Sequence, residues 1–363
     1  MMLKKNFWKN KRVVVTGHTG FKGSWLTAWL LSLGAKVTGI SLNIPTKPSH
    51  FKTLEIQKKI NNNFFDLKNI DKLKKVIFKS QPDFIFHLAA QALVKDSYQN
   101  PYFTFSSNTV GTLNLLEVLR FYKKKCTVII ITSDKVYKNL ESKRGYKENS
   151  IIGGIDPYSA SKAAAEIVIH SYLKSYFNNK KNKNIAIAIA RAGNVIGGGD
   201  WAKNRLIPDC MKAWSKNKKV ILRNPNSTRP WQHVLEAVWG YINLASKLKL
   251  NSKLHCEAFN FGPNPRSNYS VLKIVKIMKE NWKNIKWTLK KEKNKVYETN
   301  ILKLDSNKSL KLLNWKCILT INETMLMVSS WYKNYYSKKI NKKNSTIDQI
   351  SFYEKLLKKR LFK

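Results

Sequence analysis

The chain has 363 residues, 43% hydrophobic and 12% aromatic, enough to build a globular core in one large domain or two of ordinary size. No run approaches the ~18 uninterrupted apolar residues of a membrane span, and the basic start "MMLKKNFWKNKR" has no apolar signal core behind it, so a cytoplasmic protein is expected. The net charge of +45 comes from 58 lysines scattered through every segment and only nine arginines, a pattern closer to A/T-rich codon usage than to a nucleic-acid-binding stripe.

Arg12 to Val15 reads as a buried strand, followed by a glycine-punctuated turn. Phe21, Trp25, Trp29 and Leu33 then recur at helical spacing until Gly34 stops the helix, and "AKVTGISL" is a second strand. A helix ending in "KKVIFKS", a strand over Pro82 to Ala90, a helix over Phe103 to Tyr122 and the strand "CTVIIIT" come next. A long helix from Pro157 to Tyr176 leads to a strand over Asn184 to Arg191. This alternation predicts an α/β fold: a Rossmann-type, doubly wound parallel sheet whose ligands gather at the carboxyl ends of the strands.

Residues 1–192 form the expected dinucleotide-binding domain, with a return at 230–263 that contributes one more strand from "HCEAFNFG". Residues 193–229 and 264–335 make a smaller mixed α/β substrate-binding domain, and 336–363 a lysine-rich C-terminal tail or helix. Cys126, Cys210, Cys256 and Cys317 are far apart with no Cys-x-x-Cys spacing and the six histidines are dispersed, so neither a metal site nor a disulfide framework is expected.

"TGHTGFKG" sets Gly17, Gly20 and Gly23 three residues apart between strand and helix. That spacing suits a tight turn, close backbone approach to a pyrophosphate and close helix packing. At the end of the second strand, where a carboxylate ordinarily holds the adenosine ribose, stands Asn43. An amide still hydrogen-bonds a diol and no arginine is there to receive a 2′-phosphate, so NAD is favoured over NADP despite nearby Lys47. Asp66 suits either an adenine contact or the cap of the helix after it, and Ala89 and Ala90 leave room beside a cofactor. Tyr158 and Lys162, four residues apart on one helix face behind Asp156 and Pro157, form a pair in which the ammonium is expected to lower the phenol's pKa.

"TGHTGFKG", "HLAAQALV", "TSDKVY" and "YSASK", in this order and spacing, resemble the extended short-chain dehydrogenase/reductases that act on nucleotide sugars. The strings "RAGNVIGGGDWAKNRLIPD" and "RPWQHV" are similar to the CDP-glucose 4,6-dehydratases among them. The similarity runs from about Arg12 to Trp331. It implies a lyase with bound NAD, a nucleotide-sugar substrate, CDP-glucose in particular, a role in polysaccharide biosynthesis and a homodimer. It also adds His18, Thr19, Phe21 and Leu88 to the cofactor site. Ser133, or Thr132, would bind the sugar 4-hydroxyl beside Tyr158, with Asp134 as the acid for water loss and Lys135 as the base at C5. Asn194, Trp201, Arg205 and Arg229 would surround the nucleotide diphosphate, Trp201 either stacking on the base or packing within its loop, while His233 is expected to pack or hydrogen-bond and not to act in catalysis. Two alternatives stay open on the residues: a dehydratase for another nucleotide sugar, or an epimerase in which Asp134 and Lys135 are idle, on one side, and a cofactor-fold protein that holds polyanions on its positive surface on the other.

Overall fold

The computed structural model describes residues 5–142, 144–177, 184–264, 268–282, 285–289, 302–337 and 344–361. At its centre is a seven-stranded, all-parallel sheet: β1 (Arg12–Thr16), β2 (Lys36–Ser41), β3 (Asn61–Phe64), β4 (Phe84–His87), β5 (Cys126–Ile131), β6 (Ile185–Ala192) and β7 (Ala258–Phe261). Their spatial order is β7-β6-β5-β4-β1-β2-β3, so the chain reverses direction across the sheet between β1 and β4. A crevice opens at that reversal, beyond the strands' carboxyl ends.

Strand alternation divides the core between the two faces. Val13, Val15, Phe84, Phe86, Ile129 and Ile131 point to one side, and Val14, Ile85, Val128 and Ile130 to the other. β6 is written as alternating isoleucine and alanine: Ile185, Ile187 and Ile189 join the second side, while Ala188, Ala190 and Ala192 join the first. On the first face lie α1 (Phe21–Ser32) and, farther along the chain, a helix over Val234–Leu250 that is buried along almost its whole length; on the second lie helices over Ile70–Ser80, Gly111–Arg120 and Pro157–Tyr172. Numbered in chain order after α1, these are α2 (Ile70–Ser80), α3 (Gly111–Arg120), α4 (Pro157–Tyr172) and α5 (Val234–Leu250).

Helix α1 is buried on every side from Gly23 to Leu30, although its tryptophan spacing suggests one apolar face. The C-terminal segment explains this. After α6 (Ile321–Tyr336), residues Asn344–Leu361 form a helix, α7, with Tyr353 and Leu357 fully buried. Trp29 Nε1 donates to Glu354 Oε1 at 2.7 Å, and His50, stacked on Trp25, is 2.9 Å from Thr346 Oγ1. The lysines of this segment face water while its apolar side covers α1.

The helix expected over Phe103 to Tyr122 is interrupted. Pro101–Phe105 is followed by a wider turn at Ser106–Val110 before α3 begins. The widened turn lets Asn108 bond both backbone groups of Gln91 and donate to Ser161 Oγ at 2.8 Å, fastening the loop after β4 to α4. Beyond the main sheet, the described residues form three two-stranded pairs: Val195–Ile196 with Gln232–His233, Val220–Leu222 with Trp287–Leu289, and Thr228–Pro230 with Asn268–Ser270. Residues 290–301, part of the expected substrate-binding region, lie outside the described residues.

Candidate active site at the carboxyl ends of β1, β4 and β5

The glycine turn is forced by contact. Gly17 has φ +75°, and a Cβ there would lie 2.7 Å from Ala89 N at the end of β4. A Cβ at Gly23 would stand 2.1 Å from Gly17 O, so α1 can start this close only with glycine. Gly20 meets nothing nearer than Gly17 O at 3.3 Å, which leaves its outer side open to a ligand. Thr19 Oγ1 donates to Asn43 O at 2.6 Å and Ala89 N to Thr16 Oγ1 at 3.2 Å, so the turn is tied to the segment after β2 and to the end of β4. Half-buried Phe21, Leu88 and Ala90 border this turn, and the Asn43 side chain is exposed beside it. This cradle fits a dinucleotide: a left-handed turn, close backbone approach and a twelve-residue helix aimed at the same point.

Two expectations are corrected here. His18 turns its ring inward, hydrogen-bonding Ser41 Oγ at 2.8 Å and Asn62 Oδ1 at 2.9 Å, and burial lowers its pKa, so its side chain is a strut between strands and only its backbone faces the turn. Asp66 does not cap the next helix. Its Oδ1 accepts from Lys68 N at 2.9 Å, while Asn69 caps α2 through Lys72 N.

At the end of β5 the two candidate hydroxyls separate. Thr132 Oγ1 donates to Glu166 Oε1 at 2.6 Å beneath the sheet edge and is committed there. Glu166 in turn forms a buried ion pair with Arg191, whose guanidinium also donates to Tyr137 Oη at 2.8 Å. Tyr137 donates to Asn260 Oδ1 at 2.7 Å, linking α4, β5, β6 and β7 under the loop. Glu166 and Arg191 carry no motif; their only signal in the sequence is a lone charge, Glu166 inside an apolar run and Arg191 at the end of one.

Ser133 is left on the upper side. It donates to Asp134 Oδ1 at 2.9 Å, accepts from Lys135 N at 3.2 Å, and lies close enough to the Tyr158 hydroxyl to favour its ionised form. Asp134, Tyr158 and Lys162 are only 8%, 9% and 6% exposed, and Lys135 is half-buried. Burial raises the Asp134 pKa, opposed by Lys135, Ser133 and Lys22, which leans the carboxyl toward the protonated form a general acid needs.

Helix α4 starts as expected, with Asp156 accepting from Ser159 N at 3.0 Å and Pro157 in the first turn. The phenol does not behave as expected. Burial pushes Tyr158 up to about 12 against the opposing influence of Ser133, and burial followed by the charge of Lys22 brings Lys162 down to about 7 against the pull of Glu166. Desolvation outweighs the stabilisation that a neighbouring ammonium gives a phenolate.

The substrate-side residues divide. Arg205 pairs with Asp200 at 3.0 Å, is about one-third exposed at 32%, and its charge is felt by Tyr158. Asn194 is half-buried next to Gly193, where a Cβ would stand 3.2 Å from Asp134 Oδ2. Arg229 lies in the Thr228–Pro230 pair and donates to Thr228 O at 3.0 Å. Trp201, for which the sequence leaves base stacking and loop packing both open, packs: it is 3% exposed, with its ring 4.7 Å from Tyr335 and 5.5 Å from Trp331. His233 packs edge-on against Trp25, as expected, and burial takes it down to about 3.

The family model described as GDP-mannose 4,6 dehydratase matches residues 14–328 of this chain. The CDP-glucose 4,6-dehydratase of Salmonella typhimurium is 44% identical over 335 residues, covering 92% of this chain and 93% of that protein. The UDP-glucose 4-epimerase of Mycoplasma pneumoniae is 25% identical, covering 90% of this chain and 98% of that one. Among solved structures, the UDP-glucuronic acid 4-epimerase of Bacillus cereus in complex with UDP-glucuronic acid and NAD superposes with a TM-score of 0.76 at 22% identity, over 89% of this chain and 99% of the other. That likeness speaks to the fold alone.

Proposed function

Because this chain belongs to the GDP-mannose 4,6 dehydratase family, we propose that it is a lyase of nucleotide-sugar metabolism: an NAD-dependent CDP-glucose 4,6-dehydratase forming CDP-4-dehydro-6-deoxy-D-glucose. The observation that carries this reading is the grouping of Ser133, Asp134 and Tyr158, all buried, at one strand end beside the glycine turn. An epimerase needs the hydroxyl and the phenol. Water loss also needs an acid and a base, and Asp134–Lys135 lies directly after the same hydroxyl.

Bound NAD supplies the acceptor for the C4 hydride and the means of returning it to C6, so no external reductant is consumed. Ser133 holds the 4-hydroxyl and Tyr158 takes its proton. The resulting C4 ketone acidifies C5–H, and Lys135 removes that proton. Asp134 protonates the departing 6-hydroxyl, and one water leaves. Lys135 then gives its proton back to C5, completing the 4-keto-6-deoxy sugar. Gly17, Gly20 and Gly23, with Thr19, Asn43 and Ala89, hold the dinucleotide, while Asn194, Arg205 and Arg229 face the sugar nucleotide's diphosphate.

The four cysteines are free thiols, which suits a cytoplasmic enzyme, and among the described residues no helix is long and apolar enough to cross a membrane. A homodimer is supported by Tyr102, Phe105 and Ile167, large apolar side chains exposed on the neighbouring segments Pro101–Phe105 and α4, which a second copy would cover. The product is the activated keto sugar that deoxysugar assembly into polysaccharide requires.

Incubation of the purified protein with CDP-glucose, and separately with UDP-, GDP- and dTDP-glucose, tests the reading through the ultraviolet absorbance of the 4-keto product in alkali. Product from CDP-glucose without net NADH consumption supports it; epimerised sugar with no loss of water would overturn it.

A further inference from the structure

Lys22 belongs to none of the roles above, yet its charge meets those of Arg205, Asp134 and Lys162. It is half-buried in the first turn of α1, two residues beyond Gly20. Packing brings it to the other charges. A Cβ on Gly197 would come within 3.2 Å of Phe21 Cζ, and Trp25 Nε1 donates to Gly198 O at 2.9 Å, so the start of α1 is clamped to the loop leading to Asp200 and Arg205. Gly193, at the root of that loop, lies against Asp134.

Lys22 and Lys162, cations from α1 and α4, and Arg205 of the loop lie near enough that Arg205 acts on Lys22 and Lys22 on Lys162. The nearby carboxylates are largely committed: Asp200 to Arg205, Glu166 to Arg191 and Thr132, Asp134 to Ser133. No salt bridge reaches Lys22 among the described residues. Burial and the charge of Arg205 bring Lys22 down to about 8 against the pull of Asp134, and Lys22 in turn lowers Lys162. Like charges gathered out of water repel, and an anion placed among them relieves the repulsion.

We propose that Lys22 is a phosphate ligand of the dinucleotide, its ammonium reaching the diphosphate that lies over the N-terminus of α1. The glycine turn alone offers that diphosphate backbone N–H groups and the helix dipole; Lys22 adds a full charge. The assignment rests on the dinucleotide reading above. It favours the cofactor's diphosphate over the sugar nucleotide's because Lys22 is part of the glycine turn itself.

Calorimetric titration of the full chain and of Lys22→Met and Lys22→Arg with ADP-ribose, adenosine and CDP tests this without turnover. The expected result is ADP-ribose binding weakened about tenfold or more in Lys22→Met, adenosine binding unchanged, and Lys22→Arg within about threefold of the parent. Matching melting temperatures confirm that the variants are folded. Equal ADP-ribose affinity in the parent and Lys22→Met would overturn the proposal while leaving the cofactor reading intact. A selective loss of CDP binding would overturn it in favour of the sugar nucleotide. A parent that binds no ADP-ribose removes the dinucleotide reading and this proposal with it.

Discussion

Tyr353 donates a hydrogen bond of 2.5 Å to Glu236 Oε2, joining the C-terminal helix α7 to the first turn of α5. Glu236 Oε1 accepts from the backbone of Ile318 and Leu319 at 2.9 and 2.8 Å, so one buried carboxylate ties three distant segments together. Tyr353→Phe leaves the cavity filled and removes one donor, at a cost of about 1–3 kcal/mol. The expected outcome is a lowered melting temperature with NAD content unchanged at low temperature.

The same carboxylate gives a pH signature. Burial pushes Glu236 up to about 7 from its ordinary 4.5, opposed by the hydrogen bonds it accepts. With the folded pKa above the unfolded one, the native state holds the extra proton. Its stabilising contribution is therefore complete below 4.5 and is lost as pH rises toward about 7. Glu236→Gln cannot titrate, so the difference in melting temperature between parent and variant should change across that window and level off above it. The difference is the quantity to read, because His50, His87 and His233, held down to about 3 by burial, tilt both profiles the other way. A constant difference from pH 4.5 to 7 would contradict the assignment.

At the strand end, Lys135→Ala should still oxidise C4 but stall before water leaves. Single-turnover absorbance would then show reduced cofactor accumulating without keto-deoxy product. Asp134→Asn should slow the same step by about 10²–10⁴-fold. Equal loss of oxidation and elimination in both variants would strip Asp134 and Lys135 of their separate roles.

Tyr158→Phe removes the base for the first step and should lower turnover by about 10²–10⁴-fold while ADP-ribose binding persists. Because Phe retains the ring that fills the buried site, near-parental melting is expected alongside the kinetic loss.

Arg191→Met breaks the buried pair with Glu166 and leaves that carboxylate uncompensated, a loss of about 3–5 kcal/mol. Thermal denaturation should show the deficit even where no ligand is present. A variant as stable as the parent would mean that Glu166 finds another partner or a proton.

The sequence alone determined the alternating α/β order, the glycine turn, the capped start of α4 and the hydroxyl–acid–amine string after β5, because each is local. Backbone spacing and hydrogen-bonding chemistry act over a few residues, so they are legible in a linear text. It also placed Tyr158 and Lys162 on one face, since helical periodicity suffices for that. Only the tertiary structure decided what those groups experience. Desolvation depends on everything packed around a side chain, which is why Tyr158 is raised and not lowered, and why Trp201 is taken up among Trp331 and Tyr335 instead of facing a base. The choice of Ser133 over Thr132 came from Glu166, 34 positions away. The convergence of Lys22, Lys162 and Arg205 likewise needs three elements folded onto one another, because charge acts through space and not along the chain.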